Sequence, residues 1–310
     1  MGKKDTKAKE YLSNNERFAD LCNVVLFDGE QVISVESLQE RDSTEVLSVL
    51  GIDGKEVGSQ QRWRDLLKSA VIRQAGDVCI VLLGVENQSE IHYAMPVRNA
   101  LYDTLNYGSQ VKEAAKQHRN SKDQSSGSEF LSGFYRSDRL TPVVTITVYW
   151  GSGDWDAPRS LHEMFGQFDE RLKPFVPDYR INLVIPGEME NFDKFQTELG
   201  GVLEAVKASV NYESMHGLLT ADPRYAAMSN ESVEAINTFT GTRITLNEKE
   251  GETNMSIAWD EMLNEERAQA QRELIKRMLA KHKTPQEIAD LCDYDIKEVE
   301  AIEKEMCMLA

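Results

Sequence analysis

DVCIVLLGVENQSEIHYAMPVRNALYDTLNYG, residues 77–108, is the stretch on which the fold turns. Val78 to Val85 is almost wholly apolar and rich in β-branched residues, as in a strand buried within a sheet. The run ends in Glu86-Asn87-Gln88, so Glu86 and Gln88, two apart, share one face at the mouth of a core strand. A carboxylate there is costly unless something pairs with it: a divalent metal, a buried arginine or a set of backbone donors. Pro96 suits the first turn of a helix running to about Arg119. On it Arg98 and Tyr102, four apart, share a face just beyond the strand.

Working upstream, Gln61 to Arg73 reads as a strand, and Gln74-Ala75-Gly76-Asp77 as a turn into the Glu86 strand. An antiparallel pair centred between residues 75 and 76 sets position 65 opposite position 86. Asp65 then lies beside Glu86, with β-carbons roughly 5 Å apart. Two carboxylates that close repel unless a cation separates them. Oxygen-only ligation suits Mg²⁺ or Mn²⁺. The alternative is a pair held by Arg62, Arg64 or Arg98, and the residues alone leave both open.

Several segments carry a resemblance: NNERFADLCNVVLFDGEQVIS (14–34), RWRDLLK (62–68), GVENQSEIHYAMPVRNALYDT (84–104), LTPVVTITVYWGSGDWDAPRSLHEMFG (140–166) and PDYRINLVIP (177–186). With these the chain resembles the recombination-promoting nuclease/putative transposase family of the PD-(D/E)XK nuclease superfamily. The resemblance implies an α/β, restriction-endonuclease-like αβββαβ core with a helical C-terminal region. It also implies an endonuclease that hydrolyses DNA phosphodiesters in recombination or mobile DNA.

Asp65 matches the first acid of that motif and Glu86 the second, while Gln88 stands where the motif has lysine. The resemblance implies that Asp65, Glu86 and the Asn87 carbonyl hold Mg²⁺ or Mn²⁺. Glutamine positions water only by hydrogen bonding, where lysine brings a charge. Glu16, on the first expected helix, is a further candidate, although the family's acidic position also aligns with Asn15 and a solvated helix face is the preferred account of it. Arg98, Tyr102 and Lys112 are the substrate-phosphate candidates, with an Arg98 salt bridge to Asp65 or Glu86 as the other reading. A silent nucleic-acid-binding protein, or a protein-binding regulator, on the same fold is the alternative function.

Composition bounds these expectations. Net charge is −17 over 310 residues, which argues against a nucleic-acid partner unless the local field is reversed. Two basic clusters offer such a field: Lys112, Lys116, Arg119 and Lys122, and a second from Arg267 to Lys283. No apolar run is long enough to span a membrane and the N-terminus has no apolar leader core, so a cytoplasmic protein is expected. Cys22, Cys79, Cys292 and Cys307 have no zinc-like spacing and suit free thiols in a reducing compartment.

The expected organisation is a nuclease-like domain over 1–187, a helical extension over 188–254 and a long helix with a helix-turn-helix-like segment over 255–310. Within it, residues 1–13 read as a polar lead-in, followed by a helix from about Asn15 to Leu26. A helix is expected near Ser43–Leu50, and 121–129 reads as a flexible connection. Pro142–Trp150 reads as a strand, Ser160–Leu172 as a helix and Tyr179–Ile185 as a strand. Helices follow over Met189–Ser209, Glu231–Phe239 and Met255–His282. Thr284-Pro285-Gln286-Glu287 then starts another as a capping box. The last helix carries Glu298, Glu300, Glu303 and Glu305, a poor face for a DNA groove, so homo-oligomerisation through the C-terminal helices is the expected role.

Overall fold

The computed structural model describes residues 2–309 apart from 42–43, 51–55, 64, 75–76 and 122–125, with backbone alone at 44–50, 56–63, 73–74, 77–78, 307 and 309. It is an α/β structure. Two helices open it, α1 (Lys3–Ser13) and α2 (Asn15–Phe27), followed by strands β1 (Gln39–Glu40), β2 (Thr44–Leu50), β3 (Glu56–Trp63), β4 (Leu66–Gln74) and β5 (Asp77–Gln88). Then come α3 (Met95–Ser121), α4 (Gly127–Ser132), β6 (Val143–Tyr149) and β7 (Asn182–Val184). The remainder is α5 (Leu199–Ala208), α6 (Tyr212–Ala221), β8 (Met228–Ser229), α7 (Asn230–Thr240), β9 (Glu252–Thr253), α8 (Met255–Leu279), α9 (Pro285–Cys292) and α10 (Ile296–Leu309).

The main sheet runs β1-β4-β5-β6-β7. β4 and β5 are antiparallel in the expected register, Leu66 opposite Val85 and Lys68 opposite Leu83. β6 joins β5 in parallel, with α3 as the crossover, and β7 continues in parallel. The two faces of β5 differ. Val81, Leu83 and Val85 join Ile146 and Val148 in the main core with Phe18, Leu21 and Cys22 of α2 and Val202 and Leu203 of α5. On the other face, Glu86 is aligned with Thr147 and Gly84 with Thr145, and α3 covers them.

α3 is held there by polar rungs. Asn99 Nδ2 donates to Thr147 Oγ1 at 2.8 Å, and Thr145 Oγ1 to Asp103 Oδ1 at 2.6 Å. Further on, Val143 N donates to Tyr107 OH and Thr141 N to Gln110 Oε1. These links tie α3 to β6 and to the segment before it, while the buried Asn99 Oδ1 finds no hydrogen-bond partner among the described residues.

Several expectations need correction. Residues 3–13 are helix α1: Gly2 and Asp5 cap its start, and Ala8, Tyr11 and Leu12, on one stripe, are fully buried. The expected strand over Gln61–Arg73 is two strands. β4 begins only after Asp65, while β3 pairs with β2 in a separate hairpin. The expected helix at Ser43–Leu50 is strand β2, in keeping with its Thr and Val residues; residue 43 itself lies outside the described residues. The expected helix at Ser160–Leu172 is replaced by short 3₁₀ turns at His162–Met164 and Glu170–Phe175, separated by Gly166 and an Asp169 cap. Of the expected connection at 121–129, Gly127 onward is helix α4, capped by Ser126 and Glu129, while 122–125, including Lys122, lie outside the described residues.

The expected helix from Met189 forms only from Leu199, because Asp20 takes the preceding backbone. This buried carboxylate accepts from Gln196 N, Thr197 N and the Thr197 hydroxyl. The main core itself is continuous from Ala8 to Met262. The C-terminal helices form around a far smaller one, Ile275, Ile288, Val299 and Ile302. α9 begins on the expected Thr284–Glu287 box and meets α10 across Asp293, whose φ of 55° is the left-handed cap.

Asp20→Ala would strand three donors, so a loss of about 2–3 kcal/mol is expected, read by urea unfolding. Ile288→Ala should cost roughly 2–5 kcal/mol within a core of four side chains. Hydrogen exchange should then show the amides of α9 and α10 opening locally while those of β5 stay protected.

Candidate functional site

The site lies where β5 ends and α3 begins. Glu86 is fully buried, and its Oε2 stands 3.0 Å from an Nη2 of Arg98, which is one-third exposed. Arg98 Nε donates to Tyr102 OH at 3.3 Å, and the guanidinium lies 5.7 Å from the Tyr102 ring centre. The helical i,i+4 spacing therefore produces a brace: Tyr102 steadies the arginine and the arginine neutralises the strand carboxylate. Of the three arginines considered from sequence, Arg98 makes the pair; Arg64 and the side chain of Arg62 lie outside the described residues.

Asp65 reaches the same place from the bend before β4. Its Oδ2 accepts from Asn87 N at 2.7 Å, one residue beyond Glu86. Burial pushes the Asp65 carboxyl above its ordinary range, against the opposing pull of the Asn87 N–H, Arg98 and Lys9. For Arg98, burial opposes the charge, but Glu86 and then Tyr102 outweigh it and hold the guanidinium above its ordinary value. Tyr102 is itself raised, by burial and then by Glu86.

Asn87 points to the opposite face, where its Oδ1 accepts from Trp150 Nε1 at 2.9 Å. Its carbonyl accepts from Gln88 Nε2 at 2.9 Å. Gln88 thus hugs the backbone of its neighbour, leaving its own amide oxygen as the acceptor it can offer.

The structure brings together Asp65, Glu86, Asn87, Gln88, Arg98 and Tyr102. Two other candidates stand apart. Glu16 is exposed at the start of α2, where its backbone N–H donates to the Asn14 side chain. Its neighbour Asn15 instead accepts from buried Lys68 at 2.5 Å. Lys112 is exposed on α3, fourteen residues after Arg98, roughly 21 Å along the helix.

Sequence reading missed Asp5 and Lys9 of α1. Asp5 Oδ1 accepts from Ser89 N at 3.2 Å, and Lys9 acts electrostatically on Asp65. Both are polar positions on a short helix that gave no periodic signal. Asn99 was also missed. Its signal was present: Asn99, Asp103, Tyr107 and Gln110 form a polar stripe at three- and four-residue spacing.

Among the described residues no cluster of three or more His, Cys, Asp or Glu stands in metal-holding proximity, and no helix is long and apolar enough to cross a membrane. The fit of a divalent ion therefore rests on the two carboxylates and the Asn87 carbonyl. These are hard oxygen donors, and Glu86 already takes a cation, the guanidinium, as its neighbour. The set fits Mg²⁺ or Mn²⁺ with Arg98 moved off Glu86. No family model, curated protein or solved structure matches this chain.

The raised Asp65 pKa has a consequence for stability. A carboxyl raised on folding favours the folded state at low pH and loses that advantage as pH rises from about 3.9 through its folded value. The stability of the wild type relative to Asp65→Asn should therefore fall as pH rises from about 3.5 into the neutral range, measured by urea unfolding at each pH.

Proposed function

We propose that this chain is a metal-dependent DNA endonuclease of the restriction-endonuclease-like kind, serving recombination or mobile DNA. The observation that carries the reading is the β4–β5 register, which sets the Asp65 carboxylate on the Asn87 N–H beside buried Glu86. The order of elements supports it. α2, β1, β4, β5, α3 and β6 run in the αβββαβ succession, with the β2–β3 hairpin inserted between the first two sheet strands.

On this reading Asp65, Glu86 and the Asn87 carbonyl would hold Mg²⁺ or Mn²⁺. Such an ion, when bound, lowers the pKa of water and polarises a phosphoryl oxygen. The protein groups do the rest. Gln88, its Nε2 anchored on the Asn87 carbonyl, would accept from the attacking water through Oε1 and so aim it. Arg98, one-third exposed, would meet a phosphate oxygen with its remaining donors. Tyr102 would orient that guanidinium rather than touch the substrate, since it is almost fully buried.

A second reading is favoured by the same arginine. With Arg98 seated on Glu86 and glutamine at position 88, the fold would bind nucleic acid without cutting it. Plasmid nicking separates the two. The endonuclease reading expects Mg²⁺-dependent nicking that falls at least about a hundredfold in Asp65→Ala and Glu86→Ala, each shown to be folded by circular dichroism. Salt-sensitive DNA retention with equal background cleavage in all three proteins would leave the silent reading.

A further inference from the structure

We propose that Arg98 is the resident counter-ion of Glu86, that a divalent cation enters the site by displacing it, and that the displaced guanidinium becomes the receptor for a phosphodiester. The inference rests on the cation-dependent reading above and adds an order to it: cation first, phosphate second.

The geometry carries it. Glu86 is fully buried, so its charge needs a positive neighbour at all times. Arg98 supplies one at 3.0 Å. The arginine is not itself locked away: about a third of its side chain reaches solvent, and it sits in the first turn of α3, three residues after Met95. Its remaining anchor is a long hydrogen bond to Tyr102 OH at 3.3 Å. On this proposal the side chain leaves Glu86 toward the solvent that a third of it already meets.

A guanidinium and a divalent ion held on the Glu86 oxygens a few ångström apart repel each other strongly where burial weakens screening. Guanidinium and divalent ion therefore compete. Removal of the guanidinium must strengthen ion binding, the reverse of what removal of a ligand would do. The same competition couples the ion to DNA: an arginine released from Glu86 is a bidentate donor fork already at the mouth of the site.

The test is Mn²⁺ binding, followed by the loss of the free-ion electron paramagnetic resonance signal, with no turnover involved. It uses the full-length wild type, Arg98→Met, Arg98→Lys and Glu86→Gln. Arg98→Met is expected to bind Mn²⁺ at least tenfold more tightly than wild type, and Glu86→Gln at least tenfold more weakly. If Arg98→Met fails to fold, Arg98→Lys decides. It keeps the charge but not the two-point hold on Glu86 and Tyr102, and should bind at least threefold more tightly than wild type. Unchanged or weaker binding in the arginine variants, with Glu86→Gln still impaired, overturns the counter-ion proposal and leaves the cation site standing. Binding by Glu86→Gln equal to wild type, or no binding by any of the four proteins, overturns the cation site and this proposal together.

Discussion

A single buried charge organises this molecule. Glu86 lies near the end of a strand whose Val81, Leu83 and Val85 belong to the main core, and its side chain is sealed from solvent. An isolated carboxylate in that position would be prohibitively costly, so the chain must deliver a cation to it. It does so from the first turn of α3, the element that follows β5 directly. The start of α3 is thereby fixed at the end of the strand. The rungs from Asn99 and Asp103 to Thr147 and Thr145 then lay the helix along the neighbouring strand. Charge pairing sets where the helix begins, and hydrogen bonding sets how it runs.

The opposite face of the sheet follows a different rule. There Val85, Leu83 and Val81 meet α2 and α5 through apolar burial, and the polar links on this side come from Asn87, Asp20 and Lys68. This lysine is almost fully buried and donates to Ser13 O and Asn15 Oδ1, which pins the α1–α2 junction over β4. α1 is thus held against the sheet, with Asp5 on the N–H of Ser89 at the end of β5. Apolar contact supplies the bulk of cohesion on this side, while a few buried polar links decide orientation.

What was legible in the sequence follows from what was local. The β5 strand, the α3 start at Pro96 and the β4–β5 register could be read because they depend on one apolar run, one proline and one turn centre. The approach of Asp65 to the Asn87 N–H, one residue beyond Glu86, followed from that register by arithmetic. α1 was illegible because its buried stripe is only Ala8, Tyr11 and Leu12 in a lysine-rich segment, and its partners Ser89 and Ser232 are 84 and 221 residues away. The β2–β3 hairpin was hidden because its strands run continuously into Asp65, and only the three-dimensional bend separates β3 from β4. The choice between a shared cation and an arginine for Glu86 could not be made from spacing, since Arg62, Arg64 and Arg98 all stood near enough in sequence.

The acidic composition and the proposed DNA substrate are reconciled at the scale of the site. Among the described residues the carboxylates of Asp65 and Glu86 face Arg98, and Lys9 also acts on Asp65, which sets two acids against two bases. Asp5 tilts that balance negative by one. A divalent ion on the two carboxylates would reverse the sign locally, and it would do so where burial weakens screening. A net charge of −17, spread over the remaining surface, acts on an approaching phosphate through a Debye length of about 8 Å at physiological salt. On the proposed reading the local charge would decide close approach and the distant charge would mainly slow encounter, so the ion, rather than the protein surface, would gate the substrate.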